Sequence, residues 1–257
     1  MTLEQGAILA AAAAAAGAVN SVAGGGTLLS FPALVHGVSM DYTAANATST
    51  VALWPGTWGA MAGYRREMAG SGPMLLRFAL PCLVGGGLGA ALLLLSGETV
   101  FRAIVPWLIL GATLLFAFSG RISRGIEARE GAAAERPGAA ALLYQFGVAV
   151  YGGYFGAGIG ILMLAALSLM GLREIHRMNG VKMFLGMLIN AVAIAIFAAW
   201  GLVRWPEALL MAAAALLGGF AGARISRLVS AAAVRGFVVA AGLAVSGVEF
   251  WKRYAGK

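Results

Sequence analysis

The sequence predicts an all-α polytopic membrane protein of two homologous halves. The halves are arranged as inverted repeats, each a glycine-broken helical hairpin plus three transmembrane helices. Composition is the first ground. Of 257 residues, 61% are hydrophobic and only 11% are charged, with a mean hydropathy of +0.87. Soluble domains carry about 25% charged residues, so this chain has too few to cover a soluble surface. The second ground is a pair of apolar stretches, Gly6 to Gly37 and Ala139 to Gly171. A bilayer core takes roughly 20 helical residues, so each stretch is too long for one crossing. Each is broken by glycines, Gly24-Gly25-Gly26 in the first and Gly156, Gly158 and Gly160 in the second. Interrupted hydrophobic segments at matching places in two halves point to a transported ligand's binding site.

Internal repetition is the third ground. An offset of 134 residues carries Gly24 onto Gly158, Gly26 onto Gly160 and Gly37 onto Gly171. Near the end of each half an offset of 133 relates Gly85-Gly86 to Gly218-Gly219, Gly89 to Gly222 and Arg102 to Arg235. One indel reconciles the two offsets, as expected of a duplication. The first repeat is placed at 1–120, a cytoplasmic linker at 121–138 and the second repeat at 139–257. Met1 to Gln5 bears no basic residue, so no cleaved signal peptide is expected and the first apolar segment stays. Further spans are expected at 43–63, 74–95 and 101–118, and at 178–200, 205–223 and 232–250. Arg121, Arg124, Arg129 and Arg136 mark the linker, among Glu127, Glu130 and Glu135.

The net charge of +8 and isoelectric point near 10.3 reflect basic residues lying mainly between apolar segments. There they set topology and meet anionic lipid headgroups; nucleic acid is not an expected partner. If each long stretch is one crossing, the halves are parallel and either the 172–182 segment or the linker faces outward; with the linker inside, Arg173, Arg177, Lys182, Arg224, Arg227 and Arg235 fall outside. If each is a hairpin returning to its own side, the repeat is inverted. Those residues then fall inside with Arg65, Arg66, Arg77 and the linker. Only Arg204 and the tail of Lys252, Arg253 and Lys257 are misplaced. The positive-inside tendency favours the hairpin arrangement.

Three successive glycines forfeit about 1 kcal/mol each of helix propensity, and in lipid the freed backbone must find protein or a water-filled cavity. A half-helix beginning at Thr27 or Leu28 would aim free N–H groups at such a cavity. The second break, Tyr154 to Gly160, would do so from the opposite side, and two such ends favour an anion. The other reading is that these glycines permit close helix packing. Two readings also stand for Asn46, Thr48 and Ser49 in the run opening the next span: hydrogen bonds to an oxyanion, or interhelical bonds of roughly 0.6 kcal/mol each.

The repeat offset sets Lys182 where the first half has Thr48. Lys182 is the only lysine before the tail and opens an apolar span. An intramembrane charge suggests function, here a counter-charge, although a lysine near a loop can also snorkel. Asn179 shares its helix face, and Asn190 lies about two turns deeper. His36 and His176 are read as interfacial and too isolated for a metal site. Cys82 is read as a small core residue. Pro32, Pro55 and Pro81 are expected to kink or end helices, and the six tryptophans mostly to flank spans. No Asp or Glu falls in the middle of a span, so a carboxylate relay is not expected.

The run Ala23-Gly24-Gly25-Gly26-Thr27, Pro32-Ala33-Leu34, Gly37, Ala45-Asn46-Ala47-Thr48-Ser49, Pro55-Gly56 and Tyr64-Arg65-Arg66-Glu67 resembles the TauE/SafE sulfite exporter family, the domain-of-unknown-function 81 permeases. Gly156-Ala157-Gly158-Ile159-Gly160 and Asn179-Gly180-Val181-Lys182 resemble its second copy. Ile159 replaces a glycine that often completes that motif, and Ala166 stands where the first copy has Pro32. The likeness covers essentially the whole chain. It implies a carrier of the bacterial inner membrane exporting sulfite, sulfonates such as sulfoacetate, or related organic anions, and it supports an anion carrier better than it supports sulfite.

Residues and resemblance together give the expected binding set. The first half supplies Asn20, Ser21, Gly24, Gly25, Gly26, Thr27, Asn46, Thr48 and Ser49. The second supplies Gly156, Gly158, Gly160, Asn179, Lys182 and Asn190. Neither cofactor nor metal is expected. The expected partners are a small anionic substrate and a bilayer with anionic lipids; coupling to a proton or ion and pairing as a homodimer are left open. A permease for another small anion or metabolite is the alternative. A membrane-embedded enzyme and a non-transporting anchoring subunit are further alternatives; against the first the sequence shows no intramembrane Asp pair, His cluster or activated Cys, and duplicated breaks would be wasteful in the second.

Overall fold

The computed structural model describes residues 1–22, 25–127, 138–169, 172, 174–225 and 231–254, and regular structure among them is helical throughout. Helices are what an apolar chain must form in lipid, since they satisfy the backbone internally. In order they are α1 (Leu3–Val22), α2 (Thr27–Pro32), α3 (Tyr42–Gly63), α4 (Gly72–Glu127), α5 (Ala139–Tyr154), α6 (Ile159–Leu169), α7 (Ile175–Ala199), α8 (Trp205–Ile225) and α9 (Ala231–Tyr254). A π-helical turn, Ala33–Gly37, continues α2 directly after Pro32, the residue that lacks an N–H to donate.

The spans expected at 43–63, 178–200, 205–223 and 232–250 correspond to α3, α7, α8 and α9. Those expected at 74–95 and 101–118 are the two arms of α4, which bends at Gly97 (φ 65°, ψ 175°). Pro55 and Pro81 neither end α3 nor α4, which continue as helices through them, and the non-helical backbone inside α4 is at Gly97. The second arm of α4 runs to Glu127, into the expected linker; the remainder of that linker, 128–137, lies outside the described residues. Gly72–Gly120, Arg177–Ala199 and Ala233–Arg253 are long and apolar enough to cross a membrane. The first has 49 residues and is bent in the middle, enough for two crossings at roughly 20 residues each. The chain is a multi-pass membrane protein.

The first broken stretch folds back on itself. Gly26 lies against Ala16 and Asn20, and a Cβ built on Gly37 would sit 3.2 Å from Ile8 Cγ2. α2 and its π turn therefore return along α1. Each hairpin then packs on a helix of the other half: α1 lies on α8, and α5 on the first arm of α4. Between these pairs α3 packs against α7, with α3 also touching α8 and α7 touching α4. Glycine permits the outer crossings. A Cβ on Gly153 would collide with the Gly86 carbonyl, and one on Gly218 with the Ala14 carbonyl. Such small-residue faces are how helices approach where no hydrophobic force drives them together.

Two features fix the end of the bundle where α3 begins. Glu98, next to the Gly97 bend, accepts hydrogen bonds from the Tyr42 and Thr43 N–H groups (2.8 and 2.9 Å) and from the Thr43 hydroxyl (2.8 Å). Its carboxylate thus caps α3 from another helix, at the end where the dipole favours an anion. Beneath it Phe31, Phe101 and Phe155 pack edge to face, with centroids 5.5 to 6.5 Å apart, in the favourable aromatic geometry.

Gly153→Val should lower stability by about 1–3 kcal/mol, the range for overpacking a closed site. Gly147 lies within α5 and faces open space, so Gly147→Ala should raise stability by about 0.5–1 kcal/mol, the helix-propensity difference. Thermal unfolding of the purified variants tests both.

Candidate functional site

Both glycine breaks reach one cavity of about 650 Å³, within the 300–1,000 Å³ usual for small-molecule sites. The first break contributes Asn20, Gly25 and Thr27, and the second contributes Gly156, Gly158 and Gly160. One face of α3 (Thr50, Leu53, Thr57) and one face of α7 (Lys182, Gly186, Asn190) form the side walls. These are helical spacings of three or four residues, and they place both stripes on the α3–α7 contact. Phe116 and Phe220 add aromatic surface. From the breaks the lining extends to Tyr64 and Lys182, towards the end of the bundle that carries Arg65, Arg66 and Arg177.

Each break is held by side chains that answer its loose backbone groups. Gly26 N–H donates to Asn20 Oδ1 at 2.7 Å, after which α2 starts at Thr27 as the glycine run predicts. Gly25 has φ +90°, and a Cβ there would also strike the Phe116 ring at 2.5 Å, so only glycine fits. In the second break Gly156 and Gly158 have φ +78° and +75°. The Tyr151 hydroxyl donates to the Ala157 carbonyl at 2.6 Å, and Asn46 Nδ2 donates to the Tyr154 carbonyl at 3.1 Å. The chain then resumes as α6 at Ile159.

Lys182, on α7, lies beside the start of α6. A Cβ on Gly160 would be 3.3 Å from Lys182 Cδ and 4.0 Å from its Nζ. Nζ donates to Asn179 Oδ1 at 2.8 Å, one of the three hydrogen bonds an ammonium can make. Among the described residues the Asn190 amide and the Thr27 hydroxyl have no hydrogen-bond partner. The cavity therefore holds a cation, an amide and a hydroxyl with bonding capacity to spare, next to the start of α6. That set suits an anion.

The rest of the expected set is placed elsewhere. Asn179 orients Lys182 from outside the lining. Gly26 is taken up by Asn20. Ser49 is fully buried, its hydroxyl 2.7 Å from that of Ser30. Thr48 Oγ1 accepts the Arg204 N–H at 3.1 Å. Asn46, 1% exposed, supports the second break rather than lining the cavity. For these three the interhelical reading describes the contacts they make. Gly24 and the side chain of Ser21 lie outside the described residues. Thr50, Thr57, Tyr64, Phe116 and Tyr151 were not anticipated; the spacing of Thr50, Leu53 and Thr57 was the available signal for the α3 stripe. No cluster of three or more metal-ligating side chains occurs among the described residues.

A multi-pass helical bundle with a cavity between two broken hairpins has the build of a membrane transporter. Residues 9–249 match the family described as Sulfite exporter TauE/SafE, and the chain belongs to that family. It is 27% identical over 229 residues to a protein of Haemophilus influenzae (strain ATCC 51907 / DSM 11121 / KW20 / Rd) described as "Probable membrane transporter protein", spanning 86% of this chain and 85% of that one. It is 27% identical over 246 residues to "Probable membrane transporter protein ORF9" of Sinorhizobium sp, spanning 93% and 90%. No solved structure matches the chain. It is a membrane transporter of TauE/SafE type.

Asn20→Ala should cost about 1–3 kcal/mol of stability, because it leaves the Gly26 N–H without its acceptor. Thr27→Val removes a hydroxyl that no described protein group uses, and should change stability by less than about 0.5 kcal/mol. Equal losses in thermal unfolding would refute this division between support and lining.

Proposed function

We propose that the protein exports a small sulfur-containing anion across the bacterial inner membrane by alternating access. The observation that carries this reading is Lys182 in the cavity wall, beside Gly160 at the start of α6. In a water-poor site a fixed cation discriminates strongly between ligands. At about 4 Å and an effective dielectric near 20, one pair of unit charges gains roughly 4 kcal/mol. Asn190 and Thr27 add neutral side-chain groups to the wall, which suit an oxyanion. Family membership favours sulfite and sulfonates among the anions.

The halves work in this reading as inverted repeats, with a cytoplasmic linker at 121–138. The first hairpin returns to the level of Ile8, and His36 at its end lies beside Lys252 of α9. The chain following the second hairpin reaches Arg177, whose Nε donates to the Ser71 hydroxyl at 2.8 Å. Hairpins entering from opposite ends agree with these contacts. The cavity's extension towards Arg65, Arg66 and Arg177 agrees with a cytoplasm-facing state, since basic loops collect inside.

Its size favours a second reading of the substrate. One sulfite ion fills little of 650 Å³, and Leu53, Phe116, Met163 and Phe220 in the wall suit a carbon skeleton. An organic sulfonate such as sulfoacetate uses both the cation and the apolar wall.

Proteoliposomes loaded with labelled sulfite test the proposal, with sulfate, taurine and sulfoacetate as competitors. Wild type should release label and sulfoacetate should compete. Lys182→Ala should lose at least about tenfold in rate, one third of the charge term above. Unchanged flux in well-folded Lys182→Ala would refute the counter-charge, and no flux of any of these anions would refute the substrate class.

A further inference from the structure

We infer that Glu249, gripped by Tyr42 and His36, is a latch that closes the transporter at the end opposite the cavity's basic mouth. The cavity runs from the glycine breaks to Tyr64 and Lys182. Towards the other end it is blocked first by Phe31, Phe101 and Phe155, each at most 2% exposed. Beyond that plug lies a charged cluster that the substrate site does not use.

Glu249 is on α9 and only 4% exposed. Its Oε2 accepts the Tyr42 hydroxyl at 2.7 Å; its Oε1 accepts no hydrogen bond among the described residues but lies 2.8 Å from His36 Nε2, within ion-pair reach of a protonated imidazole. His36 Nδ1 in turn lies 3.2 Å from Lys252 Nζ. The Arg102 guanidinium stands 5.3 Å from the centre of the Tyr42 ring. Both carboxylate oxygens thus face residues of the first half, His36 at the end of the first hairpin and Tyr42 at the start of α3. The contact joins the hairpin carrying one glycine break to the last helix of the opposite half. Any movement of the halves that opens this end has to separate it.

Its chemistry makes the closure reversible. A buried carboxylate stripped of partners is strongly unfavourable, so the cluster holds while water is excluded. Once the end opens, water hydrates the carboxylate, the imidazole and the phenol, replacing the bonds that were lost. An apolar plug alone has no such replacement, because opening it only exposes aromatic surface. Closed and hydrated-open arrangements are therefore both accessible, and the strength of the Glu249 contacts sets the balance between them.

This inference rests on the alternating-access reading, but its test needs no substrate, so a wrong substrate class leaves the result interpretable. Thr50 lines the cavity on α3. Thr50→Cys is placed in a Cys82→Ala background, and membrane vesicles of both orientations are treated with a membrane-impermeant maleimide. Glu249→Gln and Tyr42→Phe should each raise labelling from the Glu249 end by about tenfold, the factor for losing one hydrogen bond to a charged group from the closed state. Labelling from the Arg65 end should stay the same or fall. Tyr42→Phe is the milder change and serves if Glu249→Gln does not fold. Unchanged labelling from the Glu249 end, or an equal rise from both ends, would overturn the latch and make the cluster a static brace.

Discussion

An unpaired backbone group in hydrocarbon is unfavourable by several kcal/mol, and two helical breaks create a whole set of them. Everything distinctive about this molecule answers that problem. Asn20 takes the Gly26 N–H, Tyr151 takes the Ala157 carbonyl and Asn46 takes the Tyr154 carbonyl. Asn46 reaches from α3 to the second break, so that break is stable only when the halves are assembled.

The same interlocking sets the cavity's walls. Because each hairpin packs on a helix of the opposite half, α3 and α7 are left to meet across the middle. Their facing stripes bring Thr50 and Thr57 opposite Lys182 and Asn190. At the far end a Glu98 cap, an aromatic plug and the Glu249 cluster close the bundle. One end is reached by the cavity, the other sealed and bonded. This asymmetry is what a carrier caught facing one side should display.

Much of this was legible in the chain. Glycine runs mark helix breaks for an elementary reason, the absence of a side chain; α2 begins at Thr27 as the first run predicts, and α6 begins at Ile159, within the second run. Lys182 stood out because a charge in an apolar run demands a partner. Other features depend on contacts between residues far apart in sequence. Thr48, Ser49 and Asn46 read equally well as ligands or as interhelical bonds, and only Arg204, Ser30 and Tyr154 decide what they touch here. The prolines mark no helix end, because a helix embedded among neighbours can pass through Pro55 and Pro81 without ending. Glu249 lies next to the end of the span expected at 232–250; its burial follows from the return of the first hairpin, which no local pattern encodes.

The central claim is that an anion sits between the two breaks, against Lys182. Selenite has the shape and charge of sulfite and scatters anomalously, so diffraction from crystals grown with selenite locates it directly. The account predicts an anomalous peak in the cavity within hydrogen-bond reach of Lys182 Nζ, absent from Lys182→Ala crystals. A peak confined to the surface arginines, or one in the cavity that persists without Lys182, would contradict it.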